Sequence, residues 1–369
     1  MKTGIYIHWP ECRYKCDYCD FASFQDIGIA RADLIKAMTQ EIEFYGRQNK
    51  QEISTIFFGG GTPTLMTHDE LNHILQCLLD NFNVAKNAEI TIEANPDDVN
   101  LEKISSLKSL NVNRISLGVQ SFLENELQIL SRKHTQRQIL DAIALIKENF
   151  ENYSIDVIYA LPSQIINDIE KNLDFISTIN PPHLSMYTLM IKPNTPFFER
   201  YKKKIITDFE EEAFVFVSKN MTQMGYGQYE ISSFSKDTTF ECQHNKIYWE
   251  YQDYIPIGPS SHGKINGNRV INYALPKKWT EEVMKNNHGS QINQKIGKKD
   301  AILEVLLMGL RLKNGISIEQ TNIDLSIDLL HEIGISRMQK ENLIEIKDGF
   351  LQTTLQGFAF VDYVVRNII

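Results

Sequence analysis

The sequence predicts an α/β chain in which six β/α units close into a partial, TIM-like barrel, followed by an aromatic-rich extension and a small winged-helix-like α+β domain. Three observations lead there. Runs rich in Ile, Val, Phe, Tyr and Thr alternate with amphipathic helical patterns through the first half. Three cysteines crowd directly behind the first of those runs. Near residue 298 the pattern resets into short helices and a hairpin signal. The expected divisions are a core over 1–224, the extension over 225–297 and the last domain over 298–369.

The strand patterns fall at 5–8, 55–58, 89–93, 114–119, 155–159 and 184–190. Helical patterns at 30–47, 69–79, 101–110, 136–148 and 167–179 separate them, with apolar residues three and four apart, as in Leu71, Ile74, Leu75 and Leu78. An open doubly wound sheet has the same local pattern, and the two are separated by where ligands converge. A further helix is expected over 209–224. Eight aromatic residues then fall among the thirty from Gly225 to Tyr254, against 10% of the whole chain, so this stretch either lines a flat ligand or packs as a dense cap. Beyond 298 come a helix over 301–312, strands at 343–346 and 350–353 flanking Asp348-Gly349, and a final helix over 355–366.

Composition narrows the function. With 42% hydrophobic and 23% charged residues the 369-residue chain is an ordinary globular one. Lys+Arg 38 against Asp+Glu 47 gives a net charge of −9, which repels polyanions, and the last domain carries eight basic against ten acidic residues, so nucleic acid is not an expected partner. No apolar run reaches the roughly 18 to 20 residues that span a bilayer, and the N-terminal residues lack a leader pattern. Five cysteines, an odd number, do not suggest a secreted disulfide framework. The expected setting is the reducing cytoplasm.

Cys12, Cys16 and Cys19 form C-x3-C-x2-C at the carboxyl end of the first strand, where α/β folds bind ligands. Three soft ligands on one loop suit an iron–sulfur cluster or zinc. Zinc would need a fourth ligand, His8 or the distant Cys242. A [4Fe–4S] cluster held by three cysteines keeps one iron open. Gly59-Gly60-Gly61-Thr62 follows the second strand, where glycines allow a close backbone approach to a polar ligand or simply a tight turn. Glu93, Gln120 and Asp156 stand at or near the ends of later strands, pointing toward one barrel mouth or capping their strands.

The runs Tyr6-Ile7-His8-Trp9-Pro10-Glu11-Cys12 through Cys19-Asp20-Phe21, Phe58-Gly59-Gly60-Gly61-Thr62-Pro63, Ile92-Glu93-Ala94-Asn95-Pro96 and Ser116-Leu117-Gly118-Val119-Gln120-Ser121 resemble the radical S-adenosylmethionine (SAM) superfamily. Within it they resemble the oxygen-independent coproporphyrinogen-oxidase-like branch, and most closely its heme chaperone group. The resemblance covers nearly the whole chain. It implies a radical SAM barrel with a [4Fe–4S] cluster on Cys12, Cys16 and Cys19. It also implies SAM bound near Tyr6, Phe21, Gly60, Gly61 and Thr62, with Glu93 and Gln120 on its methionine or ribose part, Asp156 on the ribose and Arg132 against its carboxylate. Without the resemblance, Arg132 reads as a solvated helix-end arginine.

His244-Asn245-Lys246-Ile247-Tyr248-Trp249 resembles the H-N-x-x-Y-W motif of the chaperone group, which makes His244 a heme-ligand candidate; from spacing alone it reads as a packing histidine. Coproporphyrinogen-converting members carry a further cysteine two positions after the third, and here that position is Phe21. They also carry an N-terminal extension, whereas Tyr6 lies five residues from the start. The implied partners are heme, acceptor hemoproteins including respiratory ones, and an electron donor for the cluster. A homodimer and peripheral membrane contact stay open. The alternative is a SAM-dependent oxidative decarboxylase of porphyrinogen propionates. The run Lys202-Lys203-Lys204 reads as a solvated face or a partner for heme propionates.

Overall fold

A computed structural model describes residues 2–202 and 207–369. Of the lysine run, Lys203 and Lys204 lie outside them, and Lys202 pairs with Glu199 at 2.5 Å. All six expected β/α repeats are present: β1 (Thr3–Trp9), α1 (Arg31–Gln48), β2 (Ile53–Gly60), α2 (His68–Asn81), β3 (Val84–Ala94), α3 (Leu101–Ser109), β4 (Arg114–Gln120), α4 (Glu124–Ile129), α5 (Gln136–Asn149), β5 (Tyr153–Tyr159), α6 (Ile166–Ile179) and β6 (His183–Thr188). There follow α7 (Pro196–Tyr201), α8 (Thr207–Gln223), β7 (Gly227–Gln228), β8 (Ser233–Ser235), α9 (Gln243–Trp249), β9 (Asp253–Ile257), β10 (His262–Ile265), β11 (Asn268–Asn272), α10 (Pro276–Asn286) and β12 (Ser290–Lys295).

Helix starts are set by local chemistry. Thr67 and Glu70 form a reciprocal capping box at α2, and Thr135 with Gln138 does the same at α5. Each helix then buries one stripe, Leu71, Ile74, Leu75 and Leu78 in α2 and Ile139, Ala142, Ile143 and Ile146 in α5.

The chain divides into two compact units of interleaved segments. The first comprises Met1–Ile158, Leu189–Ile205 and Asp253–Lys295. Its strands run in the order β12-β11-β10-β9-β1-β2-β3-β4-β5. From β9 to β5 neighbouring strands are parallel, and β10 to β12 are antiparallel. The sheet is thus mixed, and among the described residues no closed barrel forms.

The sequence pattern left 253–295 without regular structure, yet it supplies four strands and a helix. Pro256 hides β9, because proline inside a strand argues against one. The strand nevertheless pairs with β1, Pro256 beside Tyr6, and a Cβ at Gly263 would lie only 2.3 Å from the Pro256 ring. A buried carboxylate ties this segment to α1. Glu41 Oε2 accepts from Gly258 N–H at 2.8 Å, and Oε1 accepts from Gly289 N–H at 2.8 Å, Asn272 Nδ2 at 3.0 Å and Trp279 Nε1 at 3.3 Å.

The second unit comprises Tyr159–Thr188, Ile206–Gln252 and Ile296–Ile369. Here β6, β8 and β7 form an antiparallel ribbon. The aromatic-rich stretch is a packed element: Tyr226 Oη donates to Pro181 O at 2.7 Å, and Phe234 is buried. Ile231 N–H donates to Arg311 O and Lys313 N–H to Tyr229 O, which stitch it to the C-terminal region. That region holds a core of Ile302, Leu306, Leu310, Met338, Leu351 and Val365. Its three strands are β13 (Ile316–Ser317), β14 (Ile344–Lys347) and β15 (Phe350–Thr353), in the order β13-β15-β14. The expected hairpin is there, with Asp348 at φ 51° and Gly349 at φ 81°, the paired left-handed residues of a primed turn. The expected final helix is instead two, Leu355–Ala359 and Val361–Ile368, broken at Phe360 so that Phe358 and the Val361, Val364, Val365 and Ile368 stripe are all buried.

Burial pushes the Glu41 carboxyl up to about 7, against the pull of its four donors. The folded protein therefore holds this proton more tightly than the unfolded chain. Stability from this group is greatest below the usual carboxylate range and falls as pH rises from about 4.5 to about 7, by about 3 kcal/mol. Denaturant melts at pH 5, 6, 7 and 8 should show a decline in that window that Glu41→Gln abolishes; an unchanged slope in the variant contradicts this account.

Candidate functional site

The cysteine loop begins where β1 ends and is pinned by backbone hydrogen bonds. Gly61 N–H donates to Trp9 O at 2.7 Å and Thr62 N–H to Glu11 O at 2.8 Å, carrying the β1–β2 ladder past the strand ends. Cys12 N–H donates to Phe24 O and Phe24 N–H to Pro10 O, so the loop closes on its own base. Lys15 Nζ bridges Phe21 O and Ser23 O at 2.9 and 3.2 Å. A Cβ on Gly61 would stand 2.3 Å from Glu11 O, and one on Gly60, at φ +109°, would strike the His8 ring at 2.7 Å. The glycines are thus required by the approach of two backbones.

Cys12, Cys16 and Cys19 are part-exposed and free of disulfides. Each thiol has its own surroundings. Cys12 Sγ meets Thr62 Oγ1 at 3.3 Å and Tyr14 O at 2.9 Å. Cys16 Sγ accepts from Arg132 Nη1 at 3.4 Å. Burial pushes the Cys19 thiol up, with Ser23 Oγ 4.0 Å away and Lys15 pulling it back. Among the described residues no three His, Cys, Asp or Glu side chains gather round a single point, and the thiols stand apart along the loop. Three soft donors on one loop beside two cations suit ligands that must carry negative charge.

Arg132 is no solvated helix-end residue. Its Nη2 donates to Asn95 Oδ1 at 2.5 Å and to Gly118 O at 2.9 Å, and Asn95 Nδ2 donates to Thr62 Oγ1 at 3.1 Å. Neighbouring Ser131 donates to Asp17 Oδ2 at 2.8 Å, and Arg200 donates to the same oxygen at 2.7 Å, fixing the middle of the cysteine loop.

The parallel register sets a polar row on the strands. His8 pairs with Gly59, Glu93 with Ser116, and Gly118 with Asp156. Glu93 Oε2 accepts from Gly60 N–H at 3.1 Å; burial first, then neighbouring Asp156, pushes its carboxyl up to about 8. Asp156 accepts from Ser116 at 2.8 Å and Ser154 at 3.0 Å. Tyr6 stacks on Phe57 and reaches His8 Nδ1 at 3.1 Å, while His8 Nε2 meets Ala22 O at 3.0 Å. A carbonyl only accepts, so His8 carries its proton on Nε2 and accepts a hydrogen bond from the Tyr6 hydroxyl at Nδ1. Burial lowers His8 to about 4, which keeps the ring neutral.

Gln120 sits in the left-handed region at φ 69°, just after a register shift in β4, and its Nε2 lies over Gly118, where a Cβ would approach it to 2.8 Å. Non-glycine residues held there are typical of functional sites. The first unit therefore brings together the Cys12, Cys16 and Cys19 loop, Tyr6, Gly60, Gly61, Thr62, Glu93, Gln120, Arg132 and Asp156. Phe21 lies on the same loop but is 58% exposed. Two participants, Asn95 and the neutral His8, had no role from the sequence beyond His8 as a zinc alternative; the signal for Asn95 was its place two residues after Glu93 and before Pro96.

In the second unit His244, on α9, is fully buried. Its Nε2 lies 2.7 Å from Tyr248 Oη, with the rings edge to face. Burial lowers its pKa to about 3, so the imidazole is neutral. Cys242 is buried beside it in sequence, and its N–H donates to Tyr229 Oη. Trp249 lies against Arg311, 5.7 Å from the guanidinium.

Comparison with known proteins gives this geometry a family. Residues 6–176 match the radical SAM superfamily and residues 296–360 the HemN C-terminal domain. The heme chaperone HemW of Buchnera aphidicola subsp. Schizaphis graminum is 33% identical over 98% of this chain and 97% of its own. The protein of the same name from Bacillus subtilis is 30% identical over 97% of this chain and 96% of its own. The solved structure of coproporphyrinogen III oxidase (HemN) from Escherichia coli, described as a radical SAM enzyme, matches with a TM-score of 0.82 over 99% of this chain and 89% of that one; at 20% identity the likeness is one of fold. A radical SAM fold implies a [4Fe–4S] cluster and SAM, and the three thiols and the polar row suit both. Related along nearly its entire length to those chaperones, the chain belongs to the HemW family of the radical SAM superfamily.

Proposed function

We propose that the chain is a heme chaperone on a radical SAM scaffold, which takes up heme and passes it to acceptor hemoproteins. The observation that carries this reading is the relationship to heme chaperones at 33% and 30% identity over almost the full length. In this reading Cys12, Cys16 and Cys19 hold the [4Fe–4S] cluster. When bound, the cluster supplies an open iron that chelates the amino and carboxylate groups of SAM and an electron that can cleave its sulfonium.

The chain's own groups bind and orient. Gly60 and Gly61 let the backbone lie against SAM, with the Thr62 hydroxyl beside it and Tyr6 and Phe21 at the margins. Arg132 has a guanidinium for the carboxylate. Glu93, its carboxyl pushed up to about 8 by burial, serves the methionine or ribose part and ionises when a hydrogen-bond donor is brought to it. Gln120 serves the methionine or ribose part and Asp156 the ribose. His244 is the heme ligand: its neutrality supports this, because the unprotonated nitrogen is the one that ligates iron. Phe21 in place of a further cysteine favours the chaperone over a porphyrinogen decarboxylase. The reading includes a cytoplasmic setting and an electron donor for the cluster. Among the described residues no helix is long and apolar enough to cross a membrane.

Anaerobically reconstituted protein titrated with heme should give a saturable Soret band. His244→Ala should weaken binding tenfold or more, about 1.4 kcal/mol or above, with circular dichroism checking that the variant folds. Efficient conversion of coproporphyrinogen to protoporphyrinogen under reducing conditions with SAM would overturn the proposal in favour of the decarboxylase. For the cluster loop, Gly61→Ala places a methyl group against Glu11 O and should at least halve the iron and sulfide retained per chain; wild-type loading would show that the backbone contact is not what holds the loop.

A further inference from the structure

The geometry points to Asn95 as a positioning residue that aims hydrogen bonds at two cluster ligands at once and thereby sets the reduction potential of the cluster. The inference rests on the reading that Cys12, Cys16 and Cys19 hold the cluster. Asn95 follows β3 directly, and Pro96 behind it restricts its backbone to the extended region it occupies, φ −101° and ψ 151°. Its N–H and carbonyl ends both have partners. Oδ1 accepts from Arg132 Nη2 at 2.5 Å, and Nδ2 donates to Thr62 Oγ1 at 3.1 Å. The orientation of the amide is fixed by chemistry, since a guanidinium only donates and must face the oxygen.

Direction then propagates along both arms. Because Thr62 Oγ1 accepts from Asn95, its own proton is free to point to Cys12 Sγ, 3.3 Å away. Because Arg132 is held by Asn95 and by Gly118 O, its Nη1 is aimed at Cys16 Sγ, 3.4 Å away. The chain from Cys12 through Thr62, Asn95 and Arg132 to Cys16 is continuous, and every donor in it runs toward a sulfur. No other neutral side chain of that length offers a donor and an acceptor in one plane; aspartate only accepts, and leucine, of similar shape, does neither.

Hydrogen bonds donated to cluster sulfurs stabilise the reduced, more negative state, and outer partners that orient ligands are a principal control on such centres. Losing Asn95 slackens both arms together. At a fixed poise and without SAM, the ratio of reduced to oxidised cluster should fall about tenfold, which for one electron is about 59 mV toward negative potential.

The test uses the full chain, reconstituted anaerobically with iron and sulfide and titrated redox-chemically, the reduced cluster being counted by electron paramagnetic resonance. Asn95→Leu is expected to load as wild type does and to shift its midpoint negative. Thr62→Val, which cuts only the Cys12 arm, should shift it by a smaller amount, and Thr62→Ser should restore the wild-type value. Asn95→Leu that loads normally and keeps the wild-type midpoint overturns the inference. Should Asn95→Leu fail to load, the threonine pair decides: a midpoint at Thr62→Val equal to that of Thr62→Ser overturns it. Wild-type protein that retains no iron overturns the underlying cluster reading, and the iron count alone identifies that case.

Discussion

The site depends on a single close approach of two backbones beyond the ends of β1 and β2. Parallel strands have no turn to join them, so what holds a loop at their carboxyl ends must be continued pairing, and here it is Gly61 N–H on Trp9 O and Thr62 N–H on Glu11 O. The approach leaves 2.3 Å where a Cβ at Gly61 would sit. Its consequences run outward. The base of the cysteine loop is fixed at Cys12, the Thr62 hydroxyl is delivered to that thiol, and Gly60 N–H is left to hold Glu93. Side chains from β3 and from the turn after α4 can then converge on the loop because its position no longer varies.

Much of this was legible in the sequence, and the reason differs by element. The first six strands announce themselves because strands covered on both faces are nearly continuous apolar runs. The cysteine loop and glycine turn are read from their spacing. By contrast β9 is masked by Pro256, and no local rule signals that this proline sits beside Tyr6 in the sheet. Glu41 lies among buried Met38, Ile42 and Tyr45, where a carboxylate is out of pattern; its four partners, Gly258, Asn272, Trp279 and Gly289, are more than two hundred residues away in sequence. Arg132 likewise has helix-end surroundings in sequence and a part-buried network in space. The contact between His244 and Tyr248 was within reach of sequence reasoning, since residues four apart on a helix meet on one face; that His244 would be fully buried was not.

In the proposed reading the cysteines and His244 make opposite demands on their surroundings. Thiols that are to bind as thiolates need positive partners and tolerate solvent, and the three cysteines are part-exposed beside Lys15 and Arg132. An imidazole that is to ligate iron, as proposed for His244, must stay unprotonated, and burial is what lowers its pKa. The Tyr248 hydroxyl, 2.7 Å from Nε2, is a hydrogen-bond partner for the buried ring, which a polar atom removed from water requires.

Charge around the cysteine loop follows a related division. Arg13 pairs with Asp98 at 2.8 Å, Arg31 with Glu11 at 2.6 Å and Arg200 with Asp17 at 2.7 Å. These pairs are partly exposed, so each contributes little to stability and serves chiefly to orient loop residues. Arg132 is different in kind: the acceptors of its guanidinium are an amide oxygen, a backbone carbonyl and a thiol. A cation whose hydrogen bonds are met by neutral groups, with Asp97 and Tyr18 acting on it as well, keeps part of its field for negative charge brought next to it. In a chain of net charge −9, a half-buried arginine so placed is the group that the proposed reading assigns to an anionic ligand, while its neighbours are spent on holding the loop in place.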